Sequence, residues 1–305
     1  MSFSLNRRAF ALGTASAAVA ALLPGKAFAQ AATRTVTTIY GTYEIPAAPQ
    51  RVVAIDSRLD LQPALALGLP VVGYGHSKPG SWVPVPEGLE FYGSEVNIEQ
   101  VLASDPDLII CADYDPDSVW WPANRLREIA PVVPTSGGKP WKDAFREFAT
   151  LVGMDGAGEA AIAEYDALIA DIKARRAEQI ATRTVVSVQP ADGVLYVMNG
   201  SKMLQPQVLA DLGARTIPPK EGQDYDAGET PAEAFGDTLG GVDGIILATT
   251  SPEAATLLDG EELWKRLPAV ETGALVASNG NINYGSIYSA IKVAQMVDEL
   301  YGKMA

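Results

Sequence analysis

The stretch GEAAIAEYDALIADIKARRAEQIA, residues 158–181, is the longest helical pattern in the chain, with no proline and no glycine after its first residue. Ile162, Tyr165, Ile169 and Ile172 recur at spacings of three, four and three, which aligns them on one face of a helix. At 1.5 Å per residue, residues 159–181 extend about 35 Å, enough to run the length of a lobe. What lies on either side decides what such a rod is for.

Short β-branched runs alternate with helical patterns both before and after it, the signature of an α/β fold with parallel strands. Arg51 to Ile55 and Val71 to Tyr74 predict strands, with a helix over Leu59 to Leu67 closed by Gly68. Asn97 to Ser104 predicts a short helix leading into a strand over Leu108 to Cys111, and Pro131 to Val133 a further strand. Beyond the rod, strands are predicted over Thr184 to Val188, Val194 to Val197, Gly244 to Ala248 and Ala274 to Ser278. Helices are predicted over Pro206 to Leu212, closed by Gly213, and over Ser286 to Leu300. Glu99 to Cys111, a helix passing through Asp107 into a strand, has its counterpart in Glu233 to Ala248, through Asp243. The expectation is an α/β protein of two similar lobes, residues 31–158 and 182–305, each a parallel-type sheet flanked by helices. One long α-helix over 159–181 joins them.

Residues 1–29 read as an export signal outside the fold. Arg7-Arg8 precedes an uncharged run from Ala9 to Leu23, and Ala27-Phe28-Ala29 has the small-x-small form of a cleavage site. Asn6-Arg7-Arg8-Ala9-Phe10 is similar to a twin-arginine signal, with Asn6 in place of the usual Ser or Thr; an ordinary secretory signal is the alternative. No cysteine lies near Ala29, so a periplasmic protein without a lipid anchor is expected. No later segment approaches the ~18 consecutive apolar residues of a membrane span, so no membrane insertion is expected. Without Arg7, Arg8 and Lys26 the chain carries 20 basic and 37 acidic residues, a net charge of −17. Such acidity argues against nucleic acid and anionic lipid surfaces as partners. Cys111, the single cysteine, excludes an internal disulfide and lies in an apolar run, where a buried strand position is expected.

Several segments carry a family resemblance. They are Ile45-Pro46-x-x-Pro49-x-Arg51-Val52-Val53, Ala66-Leu67-Gly68-Leu69-Pro70-Val71-Val72-Gly73, and Asn97-Ile98-Glu99-x-x-Leu102-Ala103-x-x-Pro106-Asp107-Leu108-Ile109-Ile110. Leu126-x-x-Ile129-Ala130-Pro131-Val132 and Trp264-x-x-Leu267-Pro268-Ala269-Val270-x-x-Gly273 continue the series in order. With these the chain resembles the helix-linked periplasmic binding proteins that serve ABC importers of ferric siderophores, haem and cobalamin. Ile282-Asn283-Tyr284-Gly285-Ser286-x-x-Ser289-Ala290 and Ser81-Trp82-Val83-x-x-Pro86 are similar to segments of the hydroxamate-siderophore binders, although Gly93-Ser94 stand near the place of those binders' pocket arginine. The resemblance implies a monomer that holds an iron(III)-siderophore between its lobes, the iron being kept by the chelator, and delivers it to an inner-membrane permease dimer. Cobalamin or haem carriage is the alternative within the class; a sensor without transport is a more remote one.

In parallel α/β lobes ligands sit beyond the carboxyl ends of strands. The loops there are rich in aromatic residues, Trp82, Tyr114, Trp120, Trp121 and Tyr284, with Trp141 and Tyr225 in other loops. Flat amphipathic rings suit a bulky chelate, giving apolar area while their OH and NH groups reach oxygens. Candidate ligand-binding residues are therefore Arg58, Trp82, Tyr114, Trp120, Trp141, Tyr225 and Tyr284. Arg58 offers a fork of donors to an anionic oxygen, or else pairs with Asp56 or Asp60. The resemblance places Glu99 and Glu233 where one exposed carboxylate per lobe meets arginines of the permease. Both also fit local capping patterns, Asn97-x-x-Gln100 and Thr230-Pro231-x-Glu233.

His76 is the only histidine, which argues against capture of a bare metal ion; it lines the pocket or occupies a turn. No metal site and no cofactor is expected. Gly73-Tyr74-Gly75-His76-Ser77-Lys78-Pro79-Gly80 has the wrong glycine spacing for a dinucleotide turn. Gly137-Gly138-Lys139-Pro140 lacks the Ser or Thr of a phosphate loop, and there is no Gly-x-Ser-x-Gly elbow. A binder, not an enzyme, is the expectation.

Overall fold

The computed structural model describes residues 32–191, 194–224, 227–249 and 256–304. The export-signal segment 1–29 and Tyr225 lie outside these residues. The described chain opens with an antiparallel hairpin, β1 (Thr33–Thr38) and β2 (Gly41–Pro46). The Tyr43 hydroxyl donates to the carbonyl of Val132 and fastens this hairpin to the first lobe.

In that lobe β3 (Val52–Ala54), β4 (Val71–Tyr74), β5 (Glu90–Phe91), β6 (Leu108–Ile110) and β7 (Val132–Val133) form one sheet, ordered β5-β4-β3-β6-β7. Every pairing is parallel. The two central strands are completely buried, which is why they read as unbroken apolar runs. Helices α1 (Leu61–Ala66), α2 (Ile98–Ala103), α3 (Ala123–Leu126) and α4 (Trp141–Val152) flank it. Gly68 takes φ +71°, the left-handed conformation its position after a helix requires.

The rod is α5 (Asp155–Arg175), followed by the short α6 (Ala177–Thr182). It begins four residues before the expected start and breaks at Arg176, inside the span 159–181 that the sequence pattern reads as continuous. Gly158 sits inside it because a Cβ there would come within 2.7 Å of the Ala149 Cβ on α4. A glycine that reads as a boundary is a close helix crossing. At the break, Arg175 Nη1 and Arg176 Nε both donate to Asp298 Oδ1, at 2.9 and 2.7 Å. Consecutive residues of an unbroken helix project about 100° apart, so both arginines meet one carboxylate only where the backbone turns. The apolar stripe spans both cores: Ile162 packs in the first lobe, while Tyr165, Ile169 and Ile172 pack in the second.

The second lobe contains β8 (Val185–Ala191), β9 (Val194–Val197), α7 (Leu204–Leu212) and β10 (Gly228–Pro231). A 3-10 turn (Ala232–Ala234), α8 (Phe235–Leu239) and β11 (Gly244–Leu247) follow. A second 3-10 turn (Thr256–Leu258), α9 (Glu262–Lys265), α10 (Pro268–Glu271), β12 (Leu275–Ala277) and α11 (Ile287–Lys303) complete it. The strand order is β10-β9-β8-β11-β12, the same connectivity as the first sheet, with the first strand of the lobe central, the second and third on one side and the fourth and fifth on the other. This sheet is mixed, with β11 running parallel to both β8 and β12. β8–β9 and β9–β10 pair antiparallel; in the first of these Ala191 lies opposite Val194 with only two residues between them, too few for a crossover.

At the amino ends of the central strands the predicted repeat is visible in hydrogen bonds. Asp107, just before β6, accepts from the Gln50 and Arg51 amides at 2.7 and 2.9 Å. Asp243, just before β11, accepts from the Thr184 amide at 2.7 Å. In each lobe an aspartate ties down the residue that opens the neighbouring central strand. Among the described residues no helix is long and apolar enough to cross a membrane.

Candidate functional site

After β3 the chain turns through Asp56-Ser57-Arg58. The Asp56 carboxylate makes that turn by accepting from the amides of Arg58 at 2.7 Å and Leu59 at 3.2 Å. Asp60, four residues on, reaches back to the same strand ends. It accepts from the amides of Asp56 at 2.8 Å and Ala112 at 3.2 Å, and from the Thr135 hydroxyl. One buried carboxylate thereby gathers the carboxyl ends of β3, β6 and β7.

Arg58 folds onto Asp56 as a fork, Nε to Oδ1 at 3.1 Å and Nη2 to Oδ2 at 2.8 Å. Of the two sequence alternatives, pairing with Asp56 is the one realised. Arg58 Nη2 also lies 3.1 Å from His76 Nε2. His76 follows β4 with φ +68°, so it both occupies a turn and lines the site. Its ring stacks on Trp121, centroids 5.3 Å apart, and Trp121 Nε1 donates to Asp56 Oδ2 at 3.2 Å. Tyr114 leans on Trp121 at 4.5 Å with its ring over Gly137, where a Cβ would collide. Trp120 stands 48% exposed at the rim. From the second lobe, Tyr284 on the loop before α11 faces the Arg58 guanidinium at 5.5 Å.

Arg58, His76, Tyr114, Trp120, Trp121 and Tyr284 enclose a cleft of about 590 Å³ between the lobes. Below it a narrow crevice of about 30 Å³ continues past Tyr114 and Tyr284 to Trp141.

The electrostatics follow from burial. Burial works to raise the Asp56 carboxyl, but the Arg58 charge and hydrogen bonds hold it below its ordinary value. Burial and the neighbouring Asp56 charge push Asp60 up to about 8. Burial opposes the charge on Arg58 and Asp56 overcomes it, leaving its pKa raised. Desolvation lowers His76. Cys111, fully buried at the end of β6, is raised by burial and by both aspartates.

Of the seven candidates, Arg58, Tyr114, Trp120 and Tyr284 come together in the cleft. Trp82 does not. It crosses to the second lobe, where Nε1 donates to Ser289 Oγ at 3.4 Å and a Cβ on Gly280 would come within 2.6 Å of its ring. Gln62 of α1, which sequence reasoning passed over, joins it there. Its Oε1 accepts from the Ser289 and Ser286 amides at 3.0 and 3.3 Å, and Nε2 donates to Ser289 Oγ at 2.9 Å. A first-lobe side chain thus satisfies amides at the N-terminus of a second-lobe helix. Trp141 is not in a loop but heads α4, 5% exposed and edge-on to Tyr165 at 4.9 Å, a core residue that touches only the crevice floor.

His76 and Trp121 are the cleft residues absent from the candidate set. The signal for Trp121 was its place after β6 beside Tyr114; its link to Asp56 is tertiary. In the second lobe Asn283, which lines the crevice, belongs to a chain of amides. Asn283 Nδ2 donates to Gln189 Oε1, and Gln205 Nε2 donates to Asn283 Oδ1 at 2.7 Å. Among the described residues no group of three or more His, Cys, Asp or Glu side chains is placed to hold a metal ion.

Glu99 is exposed at the second position of α2, whose amides at Glu99 and Gln100 are capped by Asn97 Oδ1 at 3.1 and 3.2 Å. Glu233 is exposed in the first 3-10 turn. The capping pattern expected at Thr230 does not form, because Thr230 is a buried strand residue and Pro231 starts the turn without a side-chain cap.

The sequence profile of the periplasmic binding proteins matches residues 59–279. A probable siderophore-binding lipoprotein, YfiY of Bacillus subtilis (strain 168), is 32% identical over 165 residues, covering 51% of this chain and 49% of that protein. The chain therefore spans about half the length of this curated relative. A periplasmic solute binding protein from Mycobacterium smegmatis superposes with a TM-score of 0.72 at 20% identity, over 88% of this chain and 98% of the other. The Fe3+-Desferal-bound siderophore binding protein FhuD from Vibrio cholerae superposes with a TM-score of 0.70 at 21% identity, over 83% and 98%. At such identities these structures establish the shared fold.

Proposed function

The chain belongs to the periplasmic binding protein family, and from that premise we propose that it captures a ferric siderophore, of the hydroxamate type, and hands it to an inner-membrane ABC permease. Membership makes it a binder rather than an enzyme. The observation that carries the ligand reading is the cleft itself: four aromatic rings and a guanidinium converge from both lobes at the carboxyl ends of their strands. Rings of that kind cover the apolar body of a chelate, while Arg58, the tyrosine hydroxyls and the Trp120 NH reach its oxygens. The siderophore-binding relatives in sequence and fold support the same class.

The protein works as a monomer outside the cytoplasmic membrane. Ligand favours a slightly more closed pair of lobes by differential affinity. One helical connector, reinforced by the Gln62–Ser289–Trp82 contacts, keeps that motion small. Glu99 and Glu233 present one carboxylate per lobe to basic residues of a two-subunit permease.

Titrating purified protein with ferrichrome, a ferric catecholate, haem and cobalamin while following tryptophan fluorescence tests the reading. Saturable quenching by ferrichrome, weakened by Tyr284→Ala, is expected. Quenching by cobalamin or haem alone would overturn it in favour of the rival carriers.

A further inference from the structure

The wall of the cleft has one cation among the described residues, Arg58, and its charge is already matched. Asp56, completely buried beneath it, holds Nε and Nη2 in a fork. A guanidinium only donates, so the His76 Nε2 facing Nη2 at 3.1 Å bears a lone pair and the imidazole is neutral. The two lysines lining the crevice below are engaged as well, Lys139 with Glu147 at 2.5 Å and Lys202 with Asp224 at 3.0 Å. From the second lobe the crevice is lined by Asn283, a neutral amide bonded to two others, Gln189 and Gln205. Three of the five Arg58 N–H donors are taken by Asp56 and His76, leaving the Nη1 pair to meet a ligand oxygen.

We propose that Asp56 sets the charge class of the ligand: by neutralising Arg58 it makes the cleft accept ferric chelates of net charge near zero and refuse polyanionic ones. This rests on the carrier reading above and narrows it. An aromatic cleft whose cation is balanced offers hydrogen bonds to the carbonyl and N–O oxygens of a neutral tris-hydroxamate. It gives no net attraction to repay the desolvation of a trianionic tris-catecholate. Asp56 touches no ligand and acts through Arg58, so it is a positioning residue. Its signature is selectivity between charges rather than affinity as such.

The test is a charge ladder of three iron probes: ferrioxamine B, cationic; ferrichrome, neutral; and ferric enterobactin, trianionic. Wild-type protein is expected to bind the first two at least about 100-fold more tightly than the third. Asp56→Asn keeps an oxygen for the turn amides but removes the charge, and is expected to narrow that ratio about tenfold by gaining on the trianion. Adding Arg58→Gln to Asp56→Asn restores neutrality and with it the wild-type ratio, an outcome that a purely structural role for Asp56 does not produce. Should Asp56→Asn fail to fold, Trp120→Arg at the exposed rim carries the test by supplying an unmatched cation, and the same narrowing is expected. Equal binding of ferrichrome and ferric enterobactin by the wild type, or an unchanged ratio in the folded variants, overturns the proposal. If no ferric chelate of any charge binds, the carrier reading falls instead.

Discussion

The two lobes agree at one end of their sheets and part at the other. At the amino ends of the central strands, Asp107 and Asp243 do the same work, each accepting from the amide of the residue that opens the adjacent strand. At the carboxyl ends, the first lobe buries two carboxylates under a guanidinium, whereas the second links a chain of amides from half-buried Gln189 through Asn283 to buried Gln205. Where a lobe has only to fold, the repeat is preserved. Where the lobes face the cleft they have diverged, one becoming ionic and titratable, the other neutral and insensitive to pH.

That contrast predicts unequal consequences for equivalent deletions. Asp56→Ala strands the Arg58 guanidinium, only 12% exposed, without its partner, and is expected to cost about 3–5 kcal/mol. Asn283→Ala on the other floor removes neutral hydrogen bonds and is expected to cost about 1–3 kcal/mol. Urea unfolding of the two variants side by side measures the gap. Equal losses would mean that the ionic floor is no more strongly coupled than the amide one.

Gln62→Ala leaves the Ser286 and Ser289 amides at the start of α11 without their acceptor, and a loss of about 1–3 kcal/mol is expected. Because the pin joins the lobes, protection of these two amides from hydrogen exchange falls with it. Unchanged protection at both would show that the pin does not hold the lobes together.

A smaller, graded effect is expected from pH. Asp60 is raised to about 8 from an ordinary value of 3.8. The folded state therefore retains a proton that the unfolded chain releases. Its contribution to stability is complete below about pH 4 and is lost as pH rises through about 8. Asp56, shifted the other way, contributes above its ordinary range and loses that contribution in acid. Between pH 5 and 8 the Asp60 effect dominates, so stability declines with rising pH. Asp60→Asn, which cannot release the proton, flattens the decline. A wild-type curve already flat over that interval would place the ionised form of Asp60 in the fold.

Much of this architecture is legible in the residues because periodicity is a local property. The stripe Ile162, Tyr165, Ile169 and Ile172 is buried as the spacing predicts, and the apolar runs at Val52 and Leu108 are the central strands. Asn97 caps α2 as its position announces. What stays illegible depends on partners far away in the chain. Gly158 looks like a boundary until Ala149 is seen against it, and Trp82 looks like a pocket ring until Ser289 and Gly280 claim it. Half the cleft could be read from aromatic residues in loops after strands. The buried carboxylates, the stacking of His76 on Trp121 and the amide floor could not, since nothing at Gln205 signals Asn283.

The smallest effect on stability is expected at a pair of residues that look alike. Glu99 and Glu233 are both exposed, and neither carboxylate has a hydrogen-bond or ion-pair partner among the described residues. Their settings differ: Asn97 rather than Glu99 caps α2, and Glu233 rides on a 3-10 turn with no cap at all. Neither carboxylate is therefore engaged in holding its own helix, so Ala at either position is expected to leave the melting temperature and ferrichrome affinity unchanged. If a permease dimer reads one carboxylate per lobe, each single variant impairs uptake and the double variant abolishes it. A single variant that transports normally while the other fails would show that the lobes have diverged at the docking face as they have at the cleft. The two-fold match to the permease would then be lost, and docking would rest on one lobe alone.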